Sequence, residues 1–262
     1  MTAASLRSRW RSVALPAEHG SWGLTLEPIF LGLLVAPSWG GVGLGVAAFS
    51  AFLLRWPLKV ARTSRRQKRS ERAALATGIA LTYGAIALLG LLAGIWFAGM
   101  RPLLPLATAL PFGAVFLLYD AQNRSRSWQA ELAGPIAFSA TAASIALADN
   151  WAMAPALALW AVLVARAVPS VLYVRSRIRL DRGKSASVPI TLMLHAVALA
   201  GVIGLIGTGL LPRIASLAFV LLLVRAAWGL SNYRRPVSIK TIGFSEMGWG
   251  LLTVLTVAAG YV

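Results

Sequence analysis

Residues 55–72, RWPLKVARTSRRQKRSER, close an apolar run and then set eight lysines and arginines against the single acid Glu71. Both flanks are long and apolar enough to read as membrane spans, and a cationic cluster between two spans is retained on the cytoplasmic face. The remaining cations then follow one rule. Nine apolar stretches stand out, at about 22–40, 42–61, 73–97, 103–120, 128–148, 152–175, 189–210, 213–231 and 242–261. With Arg7, Arg9 and Arg11 before the first of them, 21 of the 25 cations fall on one face. Arg101 and Arg213 fall on the other, and Arg166 and Arg225 lie inside spans. One missed or invented span would move every later cluster to the wrong side. The alternation therefore predicts an all-α polytopic membrane protein of nine transmembrane helices, with the N-terminus cytoplasmic and the C-terminus outside. Residues 1–20 read as a basic cytoplasmic arm and 21–262 as a single nine-span domain.

Composition agrees. A chain of 262 residues that is 58% hydrophobic and 13% charged has more apolar surface than a soluble domain can cover. Its net charge of +17 is spread over short loops on one leaflet, where it holds those loops inside and attracts anionic lipid. No contiguous soluble surface presents a nucleic-acid footprint, so nucleic acid is not an expected partner. The chain has no cysteine, which excludes thiol catalysis and thiolate metal sites.

The informative residues are ionisable groups placed where hydrocarbon is expected. His19, Gly23 and Glu27 are spaced i, i+4, i+8, so they share one face at the start of the first span. Arg55, Lys59 and Arg62 share a face of the second, with Pro57 between them. Tyr119, Asp120 and Asn123 end the fourth span, and Glu131 lies about one turn inside the fifth, where the simplest partners for it are the cations of the second span or Arg124. Arg166 is nine residues from Arg175, about 13 Å up the sixth helix and too deep for easy snorkelling. Tyr173 and Arg177 follow it; His195 lies in the seventh span, Arg225 and then Asn232 in and after the eighth, and Glu246 in the ninth. Each has a bland reading: Lys59 and Arg62 as snorkelling cations, His195 as a helix-to-helix hydrogen bond, and the carboxylates as structural partners of arginines.

Together they say more. Glu27, Arg55, Glu131, Arg166, His195, Arg225 and Glu246 come from seven spans and all map to the cytoplasmic half or the midplane. Leaving such groups in hydrocarbon costs at least a few kcal/mol each, ~2.5–3.5 on the lenient scale, so they should converge on a shared polar cavity. Arginine forks in an electropositive cavity suit phosphate or carboxylate. Arg55, Lys59, Arg166 and Arg225 are the candidate clamp. His19, Arg62, Tyr119, Asp120, Asn123, Tyr173, Arg177, Asn232 and Glu246 are further candidate ligand contacts, and Glu27, Glu131 and His195 are candidate proton-handling catalytic groups. The chain carries no HExxH, P-loop, GxSxG or GxGxxG motif, and two distant histidines make no metal site.

The opening PAEHGSWGLTLEPIFLGLL, residues 16–34, with a second span that ends in a basic run, resembles the YwiC-like family of bacterial membrane proteins. This resemblance implies a multi-pass protein of the bacterial inner membrane. The nine-span layout, with its strongest basic connections after spans 2 and 6, is similar to the bundle of UbiA-type prenyltransferases. That resemblance implies a prenyl diphosphate substrate held through Mg²⁺ by Asp-rich motifs at the cytoplasmic ends of those spans. Here Arg55, Lys59 and Thr63 stand where such a motif would fall on span 2, and Tyr173, Arg175, Arg177 and Arg179 stand at the end of span 6. Cations can bind a diphosphate directly but recruit no metal. The expectation is thus a cytoplasm-facing basic cavity for an anionic, lipid-linked phosphate or diphosphate, with prenyl or lipid transfer as the implied chemistry. No cofactor is expected, and Mg²⁺ enters only if a diphosphate brings it. The expected partners are membrane lipid and that anionic ligand. The rival readings are a transporter of a small organic anion and a non-catalytic membrane subunit held together by ion pairs.

Overall fold

The computed structural model describes residue 10, residues 12–15 and residues 19–261, with the side chains of 19–21 outside the description. The expectations placed on Arg7, Arg9, Arg11, Glu18 and the His19 side chain fall outside the described residues. Among those described, the chain is helical with no strand. Besides a helical stretch at 12–14, the helices are α1 (His19–Val35), α2 (Trp39–Arg66), α3 (Ser70–Ala98), α4 (Leu103–Ala121), α5 (Trp128–Ala148), α6 (Met153–Asp181), α7 (Val188–Gly207), α8 (Ala215–Leu230) and α9 (Ile239–Ala258). Seven of them, α2 to α7 and α9, are long and apolar enough to cross a membrane. The apolar part of α1, Trp22–Val35, and α8 are shorter.

The helix boundaries differ from the apolar stretches for local reasons. The first stretch was expected to reach residue 40, but α1 stops at Val35 because Pro37 cannot continue it and Ser38 caps α2, its side chain accepting from Gly41 N at 3.1 Å. At its other end α2 runs five residues past the apolar stretch, through most of the cationic cluster. Arginine and lysine are good helix formers, so the helix persists until Lys68, which turns the chain at φ 54°. At 28 residues, α2 is about 42 Å long, well beyond the roughly 30 Å hydrocarbon core. Helix α6, with 29 residues, likewise absorbs Arg175, Arg177 and Arg179. The basic connections after spans 2 and 6 are therefore largely helix.

Contacts among the connections define two ends. At the basic end, Val13 of the N-terminal segment is buried against Val60, Ala61, Ala76 and Ile79 of α2 and α3, and Trp56 Nε1 donates to the Ser12 carbonyl at 3.2 Å. Arg175 of α6 reaches the carbonyl of Arg126 in the α4–α5 turn at 3.3 Å. At the opposite end Arg101 donates to the Trp151 carbonyl at 3.3 Å, and Tyr261, set against Trp151, donates its O–H to the Leu210 carbonyl at 3.2 Å.

Helix α5 is the axis of the bundle. Its second half, from Ser139 to Ala148, is buried throughout, and its alanines and serines let α1, α2, α4 and α6 pack closely around it. An apolar core of Leu31, Leu159, Val162, Phe219, Val254 and their neighbours fills the half of the bundle away from the basic end. Helices α2 and α3 form the tightest pair: a Cβ on Gly43 would come 2.7 Å from Gly94 N and 2.8 Å from the Gly90 carbonyl. Helix α3 packs on α2 and α4 packs on α5, but α3 and α4 do not form a packed pair. That omission leaves a lateral slot.

Candidate functional site

Arg166 of α6 is 2% exposed, the deepest of the charged side chains. Its Nη2 lies 3.1 Å from Glu27 Oε1 of α1 and donates to the backbone carbonyl of Glu246 in α9 at 2.7 Å. The Glu246 carboxylate pairs with Arg225 of α8. The Arg225 guanidinium lies 4.0 Å from the centroid of Tyr173, whose ring meets His195 edge-on at 6.5 Å. His195 Nδ1 sits 2.8 Å from the Thr191 carbonyl, so it carries the proton there and Nε2 is the acceptor. One line of contacts thus runs from α1 through α6, α9 and α8 to α7. Gly250 makes it possible, because a Cβ there would fall on the Glu27 carboxylate and within 2.8 Å of Arg166 Nη2.

Three further carboxylates carry ion pairs nearer the basic end. Asp120 of α4 accepts from Lys59 at 3.2 Å and lies 3.7 Å from Arg55 Nη1. Arg55 also stacks over Phe116 at 4.9 Å and Phe52 at 5.6 Å. Glu131 pairs with Arg175, which corrects the expectation that it would meet the span-2 cations or Arg124. The reason is neighbourhood: α5 lays its first turn against the end of α6, while Arg55 and Lys59 face α4. Arg177 makes two bonds to Asp181, at 3.0 and 3.1 Å, and donates to the Gly229 carbonyl at 2.7 Å and to that of Arg235. Arg177 was expected to bind ligand, but its donors are committed to latching α6 to the end of α8.

A cavity of about 330 Å³ lies among α1, α2, α4, α5, α6 and α9. Of the expected site residues, Glu27, Arg55, Glu131, Arg166 and Glu246 line it. Tyr173, His195 and Arg225 are not in its lining, and their contacts link them to it through Glu246 and Arg166. Lys59, Asp120 and Tyr119 flank Arg55 or the α4 terminus without lining the cavity, and Arg62, Asn123 and Asn232 are exposed outside it. Asn123, at φ 58°, is the turn residue after α4. The cavity lining sets Arg55, Arg126, Arg166 and Arg175 against Glu27, Glu131 and Glu246, an excess of one cation where the sequence led to the expectation of a net positive chamber. Arg55, Arg166 and Arg175 are each paired by a carboxylate from a neighbouring helix that sequence alone could not assign.

The lining also holds residues the sequence reading passed over. Ser170 is one turn beyond Arg166 on α6, Arg126 had been counted only as a topological cation, and Arg175 had been noted at the end of span 6 without being named as a site residue. The i, i+4 spacing of Arg166 and Ser170 was the available signal. Ser170 Oγ, Arg166 Nε and Glu246 Oε2 are buried without a hydrogen-bond partner among the described residues. Unpartnered polar atoms in a low-dielectric interior cost about 1–3 kcal/mol each, and these three belong to residues that line the cavity.

The chemistry of the donor set also bears on metal. Among the described residues, no three His, Asp or Glu side chains gather as ligands. The aspartates nearest the ends of α2 and α6 are each claimed by two cations, Asp120 by Arg55 and Lys59, and Asp181 by Arg177 and Arg234. This set does not fit the Mg²⁺ site that the UbiA-type layout implies.

The sequence pattern of the YwiC-like protein family matches residues 15–146, just over half of the chain. The chain belongs to the YwiC-like family. No curated protein and no solved structure matches it. With the apolar helices, membership makes it a multi-pass integral membrane protein. In this YwiC-like protein the matched stretch covers α1 to most of α5 and supplies Glu27, Arg55 and Glu131, while Arg166, Ser170, Arg175 and Glu246 come from the helices beyond it. Both cavity pairs that join α1 or α5 to α6 cross that boundary, so neither half builds the site alone.

Proposed function

We propose that this YwiC-like protein crosses the bacterial inner membrane nine times, with its basic end in the cytoplasm and its C-terminus outside, and that the cavity binds an anionic head group, a phosphate or diphosphate carried by a lipid. The observation that carries the reading is the wall formed by Arg166 Nε and Ser170 Oγ, buried and unpartnered beside Arg55, Arg126 and Arg175. An anion there gains charge-assisted hydrogen bonds from arginines already oriented by carboxylates, so little ordering is required on binding. Glu27 and Glu131 are the groups placed to take or give a proton; His195, outside the lining, is placed to support Tyr173 and Arg225. No resident cofactor is invoked. Mg²⁺ arrives only with a diphosphate, and transfer of the lipid group is the reaction such a site would serve.

Saturable binding of a radiolabelled prenyl diphosphate to the purified full chain tests this, and Arg55→Gln should weaken it about tenfold or more, the loss of one charged hydrogen bond. Absence of saturable binding, with and without Mg²⁺, would overturn the reading. A purely architectural role is the second reading, favoured by the pairing of Glu27, Asp120, Glu131, Asp181 and Glu246 with cations. Exchanging Glu27 and Arg166 separates the two: a purely architectural pair should tolerate the exchange with thermal stability retained and no saturable anion binding in either form, whereas a ligand site should lose the binding that the wild type shows.

Because the chain has no cysteine, its topology can be read on single-cysteine variants of the natural sequence. In intact cells an impermeant maleimide should label Trp39→Cys and Thr208→Cys and spare Tyr233→Cys, three exposed sites at alternating ends of α1, α2, α7 and α8. Labelling of Tyr233→Cys would mean that α8 does not cross.

A further inference from the structure

Beside the polar cavity lies a second one of about 440 Å³, in the slot bounded by α2, α3, α4 and α5. Apart from Arg55 and Thr141 its walls are apolar, and many of the residues facing it are small: Ala47, Ala48 and Ala51 on α2, Ala87 on α3, Gly113 on α4 and Ala137 on α5. The two cavities share Phe52, Arg55, Phe116 and Phe138. Those four residues form the common border of the two cavities, and that adjacency is the decisive feature. Charged groups lie on one side of them, only hydrocarbon-like walls on the other, and the guanidinium of Arg55 lies over the rings of Phe52 and Phe116 at the junction.

The slot also opens sideways. Helices α3 and α4 do not form a packed pair, and both carry long exposed apolar side chains such as Leu88, Leu89 and Leu117. A volume of this size lies within the range of about 300–1,000 Å³ typical of ligand clefts. A hydrophilic anion would use the first cavity and leave the second without a matching group. A molecule with an anionic head and a hydrocarbon chain matches both.

Resting on the anion-binding reading, we infer that the α2–α5 slot receives the hydrocarbon chain of the same lipid whose head group occupies the polar cavity, and that the chain slides in from the membrane between α3 and α4. The Phe52, Phe116 and Phe138 rings form the collar through which head and chain connect. Gly113 sets the width, since nothing lies within 4 Å of the position a Cβ would take there, and a larger side chain would project into the slot without striking backbone.

The test uses the purified full chain in lipid nanodiscs and native mass spectrometry with three probes: dodecyl phosphate, butyl phosphate and dodecanol. Wild-type protein should hold dodecyl phosphate at least tenfold more tightly than butyl phosphate, and dodecanol at least tenfold more weakly than dodecyl phosphate. Gly113→Phe should abolish the preference for the long phosphate and leave butyl phosphate binding unchanged; Ala87→Leu does the same from the opposite wall should the first variant misfold. Equal binding of the two phosphates by the wild type, or a chain-length preference that survives both substitutions, would overturn the slot and leave the head-group reading standing. Dodecanol binding as tightly as dodecyl phosphate, or no binding of either phosphate, would overturn the head-group reading and this inference with it.

Discussion

Arg166→Ala should destabilise the protein by about 3–5 kcal/mol, the range seen when one partner of a buried ion pair is removed and the other is left uncompensated. Both sides of the pair are sequestered, with the side chain of Arg166 2% and that of Glu27 8% exposed, and the same guanidinium holds the Glu246 carbonyl of α9. The substitution therefore loosens three helices at once. Thermal unfolding of the detergent-solubilised protein, followed by tryptophan fluorescence, should show a much lower midpoint. Adding Glu27→Gln to Arg166→Ala should recover a good part of it, since the orphaned carboxylate is then neutral. A midpoint close to that of the wild type would show that Glu27 and Arg166 do not meet in the folded protein.

Nearly as large an effect is expected from Gly90→Leu in α3. A Cβ at Gly90 would come 2.8 Å from both Ala47 N and the Gly43 carbonyl of α2. The obstruction is backbone, which no rotamer change relieves, so the helices must separate along their closest contact. Overpacking costs about 1–3 kcal/mol where side chains can yield, and this site sits at or above the upper end. A lower melting point together with broadened elution on size-exclusion chromatography is the expected outcome. Gly78, further down the same helix, has nothing within 4 Å, so Gly78→Ala should be neutral or stabilising by up to about 0.5–1 kcal/mol. If the two substitutions behave alike, the α2–α3 contact is not glycine-mediated.

Depth was legible in the sequence, and neighbourhood was not. The spacing of Arg166 from Arg175 and of Glu27 from the start of its span gave each residue's height along its helix, because rise per residue is fixed. Which carboxylate faces which arginine depends on the packing order of helices whose surfaces are apolar almost all round. Glu131 was accordingly set against α2 or Arg124 in the reading of the sequence, although it meets Arg175 of α6. The same blindness hid the α2–α5 slot. A wall of Ala47, Ala51 and Gly113 looks in sequence like ordinary close packing, and only the lack of an α3–α4 contact turns it into a space. Helix lengths failed for a different reason: hydropathy marks where lipid ends, whereas an arginine-rich helix carries on into water.

That overshoot has its own consequence. Because α2 extends about 12 Å past a hydrocarbon core of roughly 30 Å, Arg65 and Arg66 are fixed on a rigid post instead of sampling the volume of a loose loop. On the proposed topology their field would be held at a constant height above the phosphate plane and would reach about one screening length, some 8 Å, further at physiological ionic strength. Such a fringe would thin out the competing inorganic ions of the bulk only weakly, but it would recruit acidic phospholipids into the ring of lipid touching the protein. The membrane around this bundle should therefore differ in makeup from the bilayer a few molecules away.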